Sequence, residues 1–222
     1  MKKILLLLVL CLVALIAVLV VKTFRFKSKQ VQVESIAALA VDQNGVAGRL
    51  AQALRFQTVS YQDANQFRSE EFNGLHKFLE QSFPRVHSTL TREVVSDYSL
   101  LYTWKGLEDN AKPILLMSHQ DVVPIEPGTE NSWTQPPFEG RISDGYIWGR
   151  GAMDDKVGVL GILEAVELLL AQGFQPKRTI YLAFGHDEEI GGRNGAVKLA
   201  ALLQSRGITF DYILDEGSAI AN

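Results

Sequence analysis

Three stretches of this sequence run straight from apolar residues into acids or a histidine. "PILLMS" leads into His119-Gln120-Asp121, "TIYLAFG" into His186-Asp187-Glu188-Glu189, and "FDYIL" into Asp215-Glu216. Between the first two, "GRGAMDDK" sets Asp154 and Asp155 at the mouth of a helix. Several carboxylates and an imidazole brought together at low dielectric repel one another, so they must either resist ionisation or recruit a cation. Imidazole with carboxylate suits a divalent transition metal, zinc before others, and a shared carboxylate allows two ions side by side. A carboxylate left free beside such ions can take a proton from water and hand it on.

That chemistry needs the three runs to end at one place. "SLLYTWKG", "PILLMS", "RTIYLAFG" and "FDYILD" read as strands, the second apolar throughout, as a strand buried on both faces should be. Helical periodicity marks "VAGRLAQALRF" and "SEEFNGLHKFLEQSF", the latter ended by Pro84. "KVGVLGILEAVELLLAQG", closed by Gly173, and "GAVKLAALLQSRG" are further helices. "SWTQPPFEGRISDGYIWGRG" is a loop with a short hairpin. The alternating order predicts an α/β fold with a largely parallel sheet flanked by helices, whose carboxyl edge is where ligands bind.

Taken singly, the signals are weak. Asp154 and Asp155 also read as first-turn acids favoured by the helix dipole. Glu188 and Glu189 also read as solvated loop residues. The recurrence of one pattern after separate apolar runs carries the weight. His76 reads as a residue on a polar helix face, and His87 has no acid partner. His186 divides evenly between a support for the site and a structural role. "GRGAMD" is not a dinucleotide fingerprint, and Gly149 and Gly151 read as the turn that brings Asp154 inward. Ser118 lacks the G-x-S-x-G elbow of a serine nucleophile.

Composition narrows the class. Twenty-two basic against 25 acidic residues, with no basic stripe, give no argument for a nucleic-acid partner. The only cysteine, Cys11, excludes a disulfide framework and a cysteine-based zinc site. It lies in an uncharged apolar run, Ile4 to Val21, just long enough to cross a hydrocarbon core of roughly 30 Å. We read residues 1–30 as an uncleaved signal anchor and basic stalk ("KTFRFKSKQVQVES"), with a cleaved signal peptide as the alternative. Residues 45–222 read as the globular part, placed outside the cytoplasm, although Lys22, Arg25, Lys27 and Lys29 beyond the run do not favour export; the resemblance given next would make them the N-terminal part of a catalytic domain.

"LLMSHQDVVP", "WTQPPFEG", "GYIWGRGAMDDK", "GHDEEIGG" and "YILDEG" occur in that order. Together they resemble the dinuclear zinc peptidases and aminoacylases, most nearly the carboxypeptidase S and N-fatty-acyl amino acid hydrolase/synthase subgroup. The resemblance implies a zinc-peptidase-like fold and hydrolysis of an amide bond in a peptide or N-acyl amino acid. It implies two Zn2+ ions, with Co2+ and Mn2+ also compatible. His119 and Asp215 would be ligands of one ion, Glu189 a ligand of the other, and Asp154 the bridge, with a cis peptide before Asp155. Asp121 would orient His119 and Glu188 would be the general base. The family adds a later histidine ligand and a lid or dimerisation domain, neither of which follows Asn222. The expectation is therefore a fragment with little turnover of its own, or a membrane-tethered, non-catalytic remnant, with dimers formed only by the complete protein.

Overall fold

The computed structural model describes residues 2–27, 34 and 39–217. The chain divides into two compact units, Met1–Ala40 and Val41–Asn222. In the first, α1 (Lys2–Arg25) is a single helix with no buried residue among those described. It is long and apolar enough to cross a membrane by length and composition. The helix runs through Lys22 and Arg25, so the start of the expected stalk is helical. Residues 28–33 and 35 of that stalk lie outside the described residues.

The second unit contains α2 (Gln43–Ala53), α3 (Ser69–Ser82), α4 (Pro84–Thr89), β1 (Thr91–Val95), β2 (Ser99–Trp104) and β3 (Ile114–His119). A short hairpin, β4 (Arg141–Ser143) and β5 (Tyr146–Trp148), precedes α5 (Lys156–Ala171). β6 (Ile180–Gly185), α6 (Ala196–Ser205) and β7 (Ile213–Leu214) follow. Pro84 closes α3 as expected and also opens α4, where its fixed φ and missing N–H cost nothing.

The main sheet has the order β1-β2-β6-β3-β7. β3 runs parallel to both β6 and β7, whereas β1 pairs antiparallel with β2 and β2 with β6. The sheet is thus mixed, parallel where the polar runs end and antiparallel on the other side. The chain leaves only Ser96, Asp97 and Tyr98 between β1 and β2, which is room to turn back but not to cross over.

Alternate residues of each strand serve opposite faces. Leu100, Tyr102, Trp104, Leu182 and Phe184 pack with α2, α3, α4 and α5 in one core. Leu101, Leu115 and Ala183 pack with Leu199 and Leu203 of α6 in the other. The register puts His119 beside Gly185 and Leu116 beside Leu214. The residues after β3, β6 and β7 therefore emerge along one edge.

Candidate metal centre

His119 ends β3 and is 2% exposed. Its Nδ1 lies 3.0 Å from the Asp121 carbonyl oxygen and 3.3 Å from Asp121 Oδ1. Both neighbours are acceptors, so Nδ1 carries the hydrogen and Nε2 presents a lone pair. Nε2 lies 2.9 Å from Asp154 Oδ1, 3.4 Å from Glu216 Oε2 and 4.0 Å from Glu188 Oε2. His119, Asp154 and Glu216 offer ligand atoms within 4.8 Å of one another. Burial alone would lower the His119 pKa, but Asp121, then Asp154 and Glu216, push it up to about 10. Without a metal, then, these acids demand a proton on Nε2; a divalent cation answers the same demand. The donor set fits such an ion.

The acids crowd one another. The Glu189 carboxyl is pushed up by its burial and by the charges of Asp154, Asp121 and Glu188. Glu216 is pushed up by burial and by Asp155, Asp154 and Glu188. The ion pairs made by Asp154, Glu188 and Glu216 are all with His119. The single imidazole cannot balance this many carboxylates.

Each arm of the cluster is held from behind. Asp121, fully buried, accepts hydrogen bonds from the backbone N–H of Glu188 at Oδ1 and of Glu189 at Oδ2, each 3.1 Å. Burial opposes its ionisation, yet His119 and the Glu189 backbone N–H hold its pKa below the ordinary value. Asp121 therefore fixes the imidazole and the Glu188–Ile190 turn at once. Asp187 closes the same loop by accepting from Asn194 N and Gly195 N, both at 2.7 Å. A Cβ at Gly195 would meet Asp187 Oδ1 at 2.5 Å, so a larger residue there would break that closure. On the Asp154 arm the Asp154–Asp155 peptide is cis. Ser118 donates to the Asp155 carboxylate, and Lys156 Nζ, fully buried, reaches Ala53 O at 3.1 Å and Phe56 O.

Asp215 lines the cavity, ≈ 260 Å³, that also holds His119, Glu188 and Glu216. Its carboxylate accepts from the Glu216 backbone N–H at 3.0 Å, and it is Glu216 that approaches His119. The sequence offers Asp215 and Glu216 together after the apolar run, and only the resemblance gives Asp215 the role of ligand. His186 hydrogen-bonds to Ser99 Oγ at 2.7 Å and packs among Phe72 and Tyr98, away from the acid cluster.

Two residues given no role in the sequence turn out to support the strand end. Gln120, fully buried, donates to the carbonyls of Tyr98 and Phe184 at 3.0 and 2.9 Å. His76 is not on a polar face: it is 6% exposed, with Nε2 2.8 Å from Gln120 Oε1. The helix turns that face towards β3 because Phe72, Leu75 and Leu79 bury the same stripe. Burial pushes the His76 pKa down to about 4, against the bond from Gln120. Between about pH 6.5 and 4 the unfolded chain gains a proton that folded His76 refuses, so stability falls as pH drops. About 3 kcal/mol should be lost across that window, with His76→Gln flattening the slope in denaturant titrations at several pH values.

A sequence profile of Peptidase family M20/M25/M40 matches residues 115–220, the stretch that supplies every acid of the cluster. Residues 115–220 belong to Peptidase family M20/M25/M40. Across nearly its whole length this chain is 47% identical to the probable carboxypeptidase S-like 2 of Dictyostelium discoideum, covering 94% of this chain and 42% of that protein. It is 40% identical to the N-fatty-acyl-amino acid synthase/hydrolase PM20D1 of Xenopus tropicalis, over 94% of this chain and 41% of that one. The chain thus spans about two fifths of the length of these curated relatives. Human carnosine dipeptidase 1 shares the fold, with a TM-score of 0.64 at 21% identity over 80% of this chain and 39% of that one. An M20 family metallo-carboxypeptidase of Sulfolobus solfataricus also shares the fold, with a TM-score of 0.60 at 23% identity over 81% of this chain and 38% of that one.

Proposed function

We propose that the cluster holds two zinc ions and that the whole protein hydrolyses an amide bond in a peptide or an N-acyl amino acid. What supports this reading above all is His119: a buried imidazole with Nδ1 engaged and Nε2 within 4.0 Å of acids from three separate chain segments. His119, Asp154, Glu189 and Asp215 would hold the ions, with Glu216 placed to share the duty of Asp215. Zinc bound there would supply Lewis acidity, polarising the amide carbonyl and making water more acidic. Glu188 is the base: its backbone is pinned to Asp121, and its half-exposed carboxylate is free to take a proton from water and deliver it to the leaving nitrogen. The helix α1 would tether the hydrolase to a membrane with the catalytic part outside the cytoplasm; secretion after cleavage is the other outcome of the same helix.

The relatives' printed activities, a carboxypeptidase-like protein and an N-fatty-acyl-amino acid synthase/hydrolase, bracket the substrate class. Equilibrium dialysis of the detergent-solubilised chain against Zn2+ tests the reading directly. Wild type should bind zinc, and His119→Ala should weaken binding by more than ~100-fold, since loss of a ligand exceeds loss of a supporting group. Equal zinc uptake by both proteins would sink the proposal.

A further inference from the structure

The Glu188–Ile190 turn has a second side. Glu188 lines the cavity shared with His119 and Glu216, while Asp187 and Ile190 line another of ≈ 390 Å³. That size lies within the range of roughly 300–1,000 Å³ usual for small-ligand pockets. The second cavity is bounded by the loop after Ser60, by the turn between β1 and β2, and by the loop after β6. β2 runs antiparallel to β6, which brings its first residues and the preceding turn to the edge where the acids emerge. The turn is a firm rim, with Ser96 and Asp97 both left-handed (φ 51° and 70°) and Tyr98 N–H bonded to Ser96 O.

Three of the polar residues of this cavity are already engaged. The Ser60 hydroxyl donates to the His186 carbonyl, and His186 Nδ1 is paired with Ser99. Both oxygens of Asp187 are taken by backbone N–H groups. The larger surfaces left to meet a ligand are apolar, the rings of Phe67 and Tyr98, 4.9 Å apart, with Ala64 and Ile190; Tyr61, Ser96 and Asn194 add polar groups to the lining. The one carboxylate without such a partner is Asp97, which would repel an anionic head group and so admit a ligand by its apolar end.

We infer that this cavity receives the apolar acyl or side-chain group flanking the scissile amide, which reaches it over the Glu188–Ile190 turn. The inference rests on the hydrolase reading for its substrate and deepens it, assigning selectivity for apolar amides to residues outside the acid cluster. Affinity should then rise with apolar length until the cavity is full. About 0.8 kcal/mol per buried methylene corresponds to about fourfold per carbon.

The test compares N-acetylglycine with N-hexanoylglycine on the full chain, read by NMR at the Ile190 methyls. Ala64 is exposed at the cavity rim, so Ala64→Trp fills the space without touching the core, and Ala64→Ser controls for substitution. Wild type and Ala64→Ser should bind the hexanoyl probe far more tightly than the acetyl one. Ala64→Trp should lose at least ~10-fold for the longer probe while its zinc uptake is unchanged. Undiminished hexanoyl binding by Ala64→Trp, or affinity independent of acyl length, would overturn the inference. Acyl-length-dependent binding in a chain that takes up no zinc would instead sink the hydrolase reading; zinc uptake without it would sink the cavity alone.

Discussion

Replacing Glu188 by glutamine should lower kcat by about 10²–10⁴-fold while the bound metal stays at the wild-type level. The substitution is nearly isosteric and falls on a half-exposed side chain, so folding has little to lose. The backbone N–H of residue 188 still donates to Asp121 Oδ1, so the turn keeps its place. Only the capacity to accept a proton disappears. The measurement is hydrolysis of a dipeptide or N-acyl amino acid by a form of the protein that turns over, alongside elemental analysis of the purified variant. Near-full rate would remove Glu188 from its role, and loss of metal with activity would make it a ligand instead.

Asp121→Ala should be costly for a different reason. The carboxylate joins two segments, accepting from Glu188 N and Glu189 N and facing His119 Nδ1. Truncation leaves two backbone donors without their acceptor, at about 1–3 kcal/mol each where no water replaces it. It also frees the imidazole, which should weaken zinc by a further ~10–100-fold. Denaturant unfolding in chelator would read the first loss, and competition against a zinc indicator the second. A variant as stable as wild type with unaltered zinc affinity would show that Asp121 orients nothing.

Much of the site was legible because apolar strands followed by acids are a local signal. "PILLMS", "RTIYLAFG" and "FDYIL" needed only to lie parallel, and their register then set His119 beside Gly185. What the sequence hid was long-range. β1 carries the mixed run "TREVV", whose half-exposed edge position gives no clean alternation. Nothing local shows that Asp121 caps a turn 67 residues away or that His76 is buried against Gln120. Lys156 reads as a charged residue at a helix start, yet it is fully buried because carbonyls of Ala53 and Phe56, some 100 residues earlier, point at it. The choice between Asp215 and Glu216 turns on the course of the backbone after a two-residue strand, which no pattern encodes.

β7 pairs with β3 through two residues only, and Ile213 and Leu214 are 55% and 61% exposed. Among the described residues no strand lies on its outer side. The outer backbone groups of such a strand are a template on which a further extended segment, of this protein or of another, can pair. Prepared as residues 1–222 alone, the chain should self-associate along β7 at high concentration, and Leu214→Lys should suppress this in light scattering.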